Sequence, residues 1–205
     1  MANIKDENST IEYYNQNSNV YINGTFNVNM NHLYNEFEKY LSIGDSILDV
    51  GCGSGRDSKY FLQKKYKVTS IDASREMCER ANLITNNKVI QMKAENINFK
   101  DEFQAVWACA SLLHVSKNNM LQTMVKIMAA LKDNGIFYGS WKYGTEERFF
   151  KGRYFMDYTE KTLQELLSGI DNISILKLWI TSDVRSEKDK EKWINVILKK
   201  CNETK

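Results

Sequence analysis

The chain has 205 residues, room for one domain with a substantial core. Its 28 Lys and Arg are matched by 26 Asp and Glu, mixed along the sequence without the basic stripe that grips a phosphate backbone, so nucleic acid is disfavoured as a substrate. No apolar run is long enough to span a bilayer, and the opening Met-Ala-Asn-Ile-Lys-Asp-Glu-Asn has no signal-peptide core, which predicts a cytoplasmic protein without membrane contact.

The first eight residues are polar and read as disordered. From Ile11 to Leu41 the chain is rich in aromatic residues, and Met30, Leu33, Tyr34, Phe37 and Leu41 follow one helical face. Residues 1–42 therefore read as a helical segment ahead of a core spanning 43–205. Strands and helices then alternate: a strand at Ile47–Val50, a helix at Asp57–Lys65, a strand at Lys67–Asp72 and a helix from Ser74 to about Leu83. Third and fourth strands are expected at Lys88–Met92 and Ala105–Cys109. Met120, Met124, Ile127, Met128 and Leu131 form a helical stripe, which Asp133-Asn134-Gly135 should stop. Ile136–Trp141 reads as a fifth strand and Lys142–Met156 as a long loop. The next helix is expected to be capped by Asp157-x-x-Glu160 and ended by Gly169. Ile173–Thr181 and Trp193–Lys199 are the last two strands, joined by the solvated turn Glu187-Lys188-Asp189-Lys190-Glu191-Lys192. Apolar strands alternating with helices predict a parallel sheet covered on both faces, and the last two strands, with no helix between them, an antiparallel pair. The four cysteines (Cys52, Cys78, Cys109, Cys201) are scattered, with no Cys-x-x-Cys pair, and read as free thiols; no metal site is indicated.

Function is concentrated in Asp49-x-Gly51-x-Gly53-x-Gly55. A short apolar strand runs into three glycines and then a helix, a turn that lets a ligand approach the backbone and offers the positive end of a helix dipole to an anionic group. A dinucleotide fingerprint would require Gly-x-Gly-x-x-Gly, but its third glycine position holds Arg56. Asp72 ends the second strand 21 residues after Gly51, where a carboxylate can accept both hydroxyls of a ribose; it also reads as a cap for the helix starting at Ser74.

Together these elements closely resemble the class I S-adenosylmethionine-dependent methyltransferases, over about residues 28–140. The resemblance implies a Rossmann-like doubly wound α/β sheet of seven strands with only the last antiparallel, and S-adenosyl-L-methionine as cofactor. It implies cofactor contacts from Asp49, Gly51, Cys52, Gly53, Ser54 and Gly55, from Asp72 and Ala73, and from Ala94 and Glu95 at the adenine edge. Cys109, at the end of the fourth strand, should face the methionine moiety. Tyr13, Tyr14 and Tyr21 lie where related enzymes carry a lid, with Tyr14 the cofactor-contacting candidate. Methyltransferases of nucleobase amino groups tend to carry Asn/Asp-Pro-Pro-Tyr after the fourth strand. Here the sequence is Cys109-Ala110-Ser111-Leu112-Leu113-His114 in a chain with no proline, more similar to small-molecule methyltransferases, including the tellurite-resistance type.

The expected function is thus in-line methyl transfer to a small-molecule acceptor. Methyl transfer to protein or RNA and cofactor binding without catalysis are the other readings. His114 reads either as a general base for the acceptor or as a packing histidine. Trp141, Arg153 and Tyr154 flank the segment after the fifth strand, at the rim where ligands bind in open α/β sheets, and Arg153 is suited to an anionic acceptor. Arg185, in the last hairpin, approaches the same rim.

Overall fold

The protein, seen in a computed structural model, is described over residues 8–185, 188 and 190–202. The expected N-terminal disorder falls on residues 1–7, outside the described residues, apart from Asn8, which begins a helix. Two helices come first, α1 (Asn8–Thr25) and α2 (Asn31–Glu38). The alternating core follows with β1 (Ser46–Val50), α3 (Arg56–Gln63), β2 (Lys67–Asp72), α4 (Arg75–Thr85), β3 (Val89–Gln91), β4 (Phe103–Ala108), α5 (Lys117–Ala130) and β5 (Leu131–Lys142). A short hairpin, β6 (Glu147–Phe150) and β7 (Arg153–Met156), precedes α6 (Glu160–Leu167), β8 (Ile173–Ser182) and β9 (Lys192–Lys200).

The main sheet has the order β3-β2-β1-β4-β5-β9-β8. Neighbours from β3 to β5 are parallel, and β9 runs antiparallel to both β5 and β8. Of these seven strands only the last in sequence opposes the others, as expected. Pleating sends Leu48, Val50, Val106, Ala108 and Phe137 to one face, beneath α5 and α6. Ile47, Ala105, Trp107, Ile136 and Tyr138 go to the other, beneath Phe37 of α2 and Phe61 of α3. Trp107 stacks on Tyr138 with ring centroids 4.1 Å apart. Both faces are covered, which is why these strands read as unbroken apolar runs rather than alternating ones.

Three expected features differ. The segment read as a loop forms the hairpin β6–β7, registered through Phe149↔Tyr154 and Phe150↔Arg153. Its two turn residues, Lys151 and Gly152, both have positive φ (49° and 79°), the backbone of a tight turn that matches strand twist. The stripe helix ends at Ala130, before Asp133-Asn134-Gly135: Leu131 is already extended (φ −76°, ψ 140°) and pairs with Phe103 in the sheet. The Asp-Asn-Gly segment instead absorbs the register shift between Phe103↔Leu131 and Ala105↔Ile136. Finally, α6 is capped by Thr159, whose side chain accepts from the Thr162 N–H in a reciprocal box, not by Asp157, whose carboxylate pairs with Arg148.

Candidate active site

The carboxyl ends of β1, β2 and β4 surround a crevice, because the chain moves outward from β1 to β2 and β3 and then returns to the other side of β1 as β4. Gly51 opens the turn at its centre. It has φ 69°, and a Cβ there would lie 2.4 Å from the Ser111 Cβ, so glycine alone fits. The amides of the turn are used inside the protein: Gly51 and Cys52 donate to the Ile71 carbonyl, Gly53 to Asp72 Oδ2 and Gly55 to the Cys52 carbonyl. These four amides are taken inside the protein, so what they contribute is closeness of approach. Asp72 also accepts from the Ser74 N–H at 2.8 Å. The cap of α4 is Ser74 itself, whose Oγ accepts from Met77 N at 3.2 Å, so Asp72 is not needed for it. Burial pushes the Asp72 carboxyl up, while the backbone donors of Ser74, Gly53 and Ala73 pull it back. A carboxylate has about four acceptor sites, so these backbone donors leave it capacity for a further hydrogen bond.

Asp72 lines a cavity of about 800 Å³, counted to its open mouth. Gly51, Gly53, Ala73, Ala94, Glu95 and Tyr14 line it too. So do Met77, Met92 and Ser111, which sequence reasoning did not pick out. The Ser111 Oγ is buried without a hydrogen-bond partner. Five residues expected at the cofactor lie outside this lining, Cys109 and four around the glycine turn. Asp49 accepts from Ser58 Oγ at 2.6 Å beneath the turn, and burial, followed by the Asp57 charge, pushes its carboxyl up to about 8. Cys52 packs with Cys78, Ala81 and Val89. Ser54 is buried, and Gly55 lies against Ala81 of α4.

Helix α1 roofs this cavity. Asn15 Oδ1 accepts from Ser74 Oγ (2.7 Å), and Thr10 Oγ1 accepts from Tyr154 N (3.0 Å). Tyr21 lies over the glycine turn, its Cε1 3.7 Å from where a Gly53 Cβ would be. Arg56, in place of a third glycine, reaches the Thr25 carbonyl at the end of α1 and grips Asp57 through Nε (2.6 Å) and Nη2 (2.9 Å). Tyr34 Oη and Trp107 Nε1 also donate to Asp57. Burial alone would raise the Asp57 carboxyl; the Arg56 guanidinium and these donors outweigh it and hold it below the usual range.

A second, larger cavity of about 1700 Å³ opens beside the first, and Tyr14, Tyr21, Ala110 and His114 line both. His114 Nδ1 lies 2.7 Å from the Tyr154 carbonyl, an acceptor only, so Nδ1 carries the proton. Nε2 is then the lone-pair nitrogen, and the Tyr14 hydroxyl, 2.9 Å away, donates to it. Burial holds the imidazole down to about 4, so it is neutral over the physiological range. Cys109, expected at the cofactor, lines this second cavity, as do Arg153 and Arg185. Asp183 holds Arg185. Trp141 and Tyr154 lie behind the wall. Trp141 is fully buried against Tyr158, while Tyr154 Oη bonds Glu147 and the Lys117 N–H. Among the described residues no cluster of His, Cys, Asp and Glu fits a metal.

A doubly wound sheet with a glycine turn and an acid at the end of the next strand defines a nucleoside-cofactor fold. The sequence pattern of the family described as "methyltransferase domain" matches residues 47–135, from β1 into β5. YqeM of Bacillus subtilis is 29% identical over 143 residues, 63% of this chain and 57% of that protein. The chain spans about half the length of the curated relatives it matches. In three dimensions it resembles 1,6-didemethyltoxoflavin-N1-methyltransferase from Burkholderia thailandensis, with TM-score 0.76, 19% identity and coverage of 96% of this chain and 87% of that one. A SAM-dependent methyltransferase from Methanosarcina mazei superposes with TM-score 0.71 at 20% identity, over 81% of this chain and 97% of that one. Residues 47–135 thus carry the sequence pattern of a methyltransferase domain, and the chain shares the fold of S-adenosylmethionine-dependent methyltransferases. S-adenosylmethionine is the cofactor of these enzymes, and the first cavity fits it: acceptor capacity of Asp72 for the ribose, an unpartnered Ser111 hydroxyl, and apolar walls at Met77 and Met92.

Proposed function

We propose that the protein transfers the methyl group of S-adenosylmethionine to a small-molecule acceptor seated in the second cavity. The observation that carries this reading is the meeting of the two cavities at Tyr14, Tyr21, Ala110 and His114, so that one ligand can face another across a shared opening. When bound, the cofactor supplies a sulfonium methyl that an acceptor lone pair displaces in line. Asp72, Ala94 and Glu95 hold its nucleoside end, and the α1 roof excludes water. His114 acts as the base of the sequence-based reading, but through Tyr14. The acceptor proton passes to Tyr14 Oη as the Tyr14 proton passes to His114 Nε2, which avoids a free phenolate in a site where burial pushes the Tyr14 hydroxyl far up.

The test is incubation with S-adenosylmethionine and fractionated cell extract, reading the mass gain of one methylene unit. A methylated metabolite supports the reading, and label confined to protein or RNA overturns the small-molecule acceptor. Tyr14→Phe and His114→Asn should each lower turnover by roughly 10²–10⁴-fold, with cofactor affinity retained. Loss in only one of the two would break the relay.

A further inference from the structure

Resting on the small-molecule reading, we infer that the acceptor is an organic carboxylate, anchored by Arg153, that receives the methyl group on a neighbouring O–H or N–H. Among the described residues, eight Lys and Arg line the second cavity against three Asp and Glu. The whole chain is nearly balanced at 28 to 26, so the excess is local. Most of these cations are already engaged. Arg148 pairs with Asp157, Arg185 with Asp183, Lys142 with Asp183 and Glu191, Lys188 with Glu191 and Arg56 with Asp57, while Lys192 donates to Ser182 Oγ. Arg153 has no carboxylate partner among the described residues, and its buried Nε has no hydrogen-bond partner. Its guanidinium lies over rings, 4.4 Å from the Tyr13 centroid, 5.1 Å from Phe155 and 5.9 Å from Tyr14, and hydrogen-bonds the Tyr14 hydroxyl.

A guanidinium without a carboxylate partner in a half-buried aromatic setting is a strong receptor for a planar oxyanion, because its fork of donors matches a carboxylate. Phe150, Phe155 and Trp193 also line this cavity and offer such a molecule apolar contact. Position then selects the methylated atom. Arg153 adjoins Tyr14, which lines both cavities, so a carboxylate on Arg153 brings its neighbouring substituent to the opening. A carboxylate held in the guanidinium fork has its lone pairs committed, which leaves the adjacent O–H or N–H as nucleophile and passes its proton to Tyr14 and His114. Burial, and behind it the Arg153 charge, holds the His114 imidazole low; an anion on Arg153 offsets that charge and makes the imidazole a better proton acceptor at the moment the acceptor is bound.

The test uses the full chain saturated with S-adenosylhomocysteine and titrated calorimetrically with salicylate and anthranilate, their neutral amides, and the matching benzylamines. The carboxylates should bind at least about tenfold tighter than the amides, the equivalent of one charge-assisted pair. Arg153→Gln should erase that preference while S-adenosylhomocysteine affinity changes less than about threefold, and Arg153→Lys should retain part of it. Amides or amines binding as well as carboxylates, no carboxylate binding up to millimolar concentration, or a preference that survives in Arg153→Gln would each overturn the inference. The extract experiment separates this from the underlying reading: a methylated neutral or cationic metabolite defeats only the carboxylate assignment, whereas methylated protein or RNA alone defeats the small-molecule acceptor.

Discussion

In the proposed site Asp72 and His114 carry the most, and each has a measurable signature. Asp72→Asn keeps the shape and one acceptor oxygen but removes the charge that strengthens a ribose contact. S-adenosylhomocysteine affinity should fall by roughly 10–100-fold, on the scale of 1.5–3 kcal/mol for a hydrogen bond to a charged group. Titration calorimetry checks this, and unchanged affinity would remove Asp72 from the site. His114 is held down to about 4 by burial, below its ordinary value of 6.5. As pH falls the unfolded chain takes up the proton first, so the stability tied to the neutral imidazole is complete above about 6.5 and is lost as pH drops through about 4. The loss should be on the order of 3 kcal/mol. Urea unfolding between about pH 7 and about pH 4 should show it in the parent chain and much less of it in His114→Asn.

Helix α1 differs in kind from the elements around it. Its buried residues are Thr10 and Ser18, both polar, and Asn17 (φ −116°, ψ 17°) interrupts its helical backbone. Polar contacts to Ser74, Tyr154 and His114, and the reach of Arg56, hold it down, so little apolar area opposes its release. The neighbouring α2 instead buries Leu33, Tyr34 and Phe37 on the sheet. Of the segment expected as 1–42, α1 alone has the character of a lid. Its amides should exchange fastest among the helices, and S-adenosylhomocysteine should slow them. Deleting residues 1–25 should leave a cooperatively folding core that binds the cofactor about tenfold more weakly, the scale of a lost cation–π and hydrogen-bond contact. Unchanged binding and exchange would mean that α1 is a fixed wall.

At the scale of the molecule, a rigid sheet with both faces covered carries a crevice whose roof is held by polar contacts. Stability should therefore be set far from the chemistry. Phe37 is fully buried, its ring centroid 5.0 Å from Trp107 and 5.8 Å from Phe61. Phe37→Ala should cost about 3–5 kcal/mol in urea unfolding. Phe150→Ala, on the hairpin beside the second cavity and 54% exposed, should cost less than about 1 kcal/mol. Equal losses would contradict a core confined to the sheet and its covering helices.

The sequence alone determined the alternating core, the glycine turn with its spaced Asp72, and the antiparallel last strand. Each depends on local chemistry: apolar runs bounded by turns, a residue that tolerates positive φ, and two strands too close in sequence for a crossover. It also placed the tyrosines, His114 and Arg153 near the rim. Only the tertiary structure decided which of these face a cavity. Cys52, Ser54 and Gly55 belong to the glycine motif, but the turn directs them into packing against neighbouring elements. Trp141 and Tyr154 flank the rim in sequence, but strand pleat and hairpin register turn them behind its wall. Lys151-Gly152 forms a two-residue turn, but its flanking segments are short and mixed in polarity, so no strand period marks them in the sequence. The pairing of Tyr14 with His114 had no sequence signal at all. It joins residues 100 positions apart, brought together only when α1 folds over the carboxyl ends of the strands.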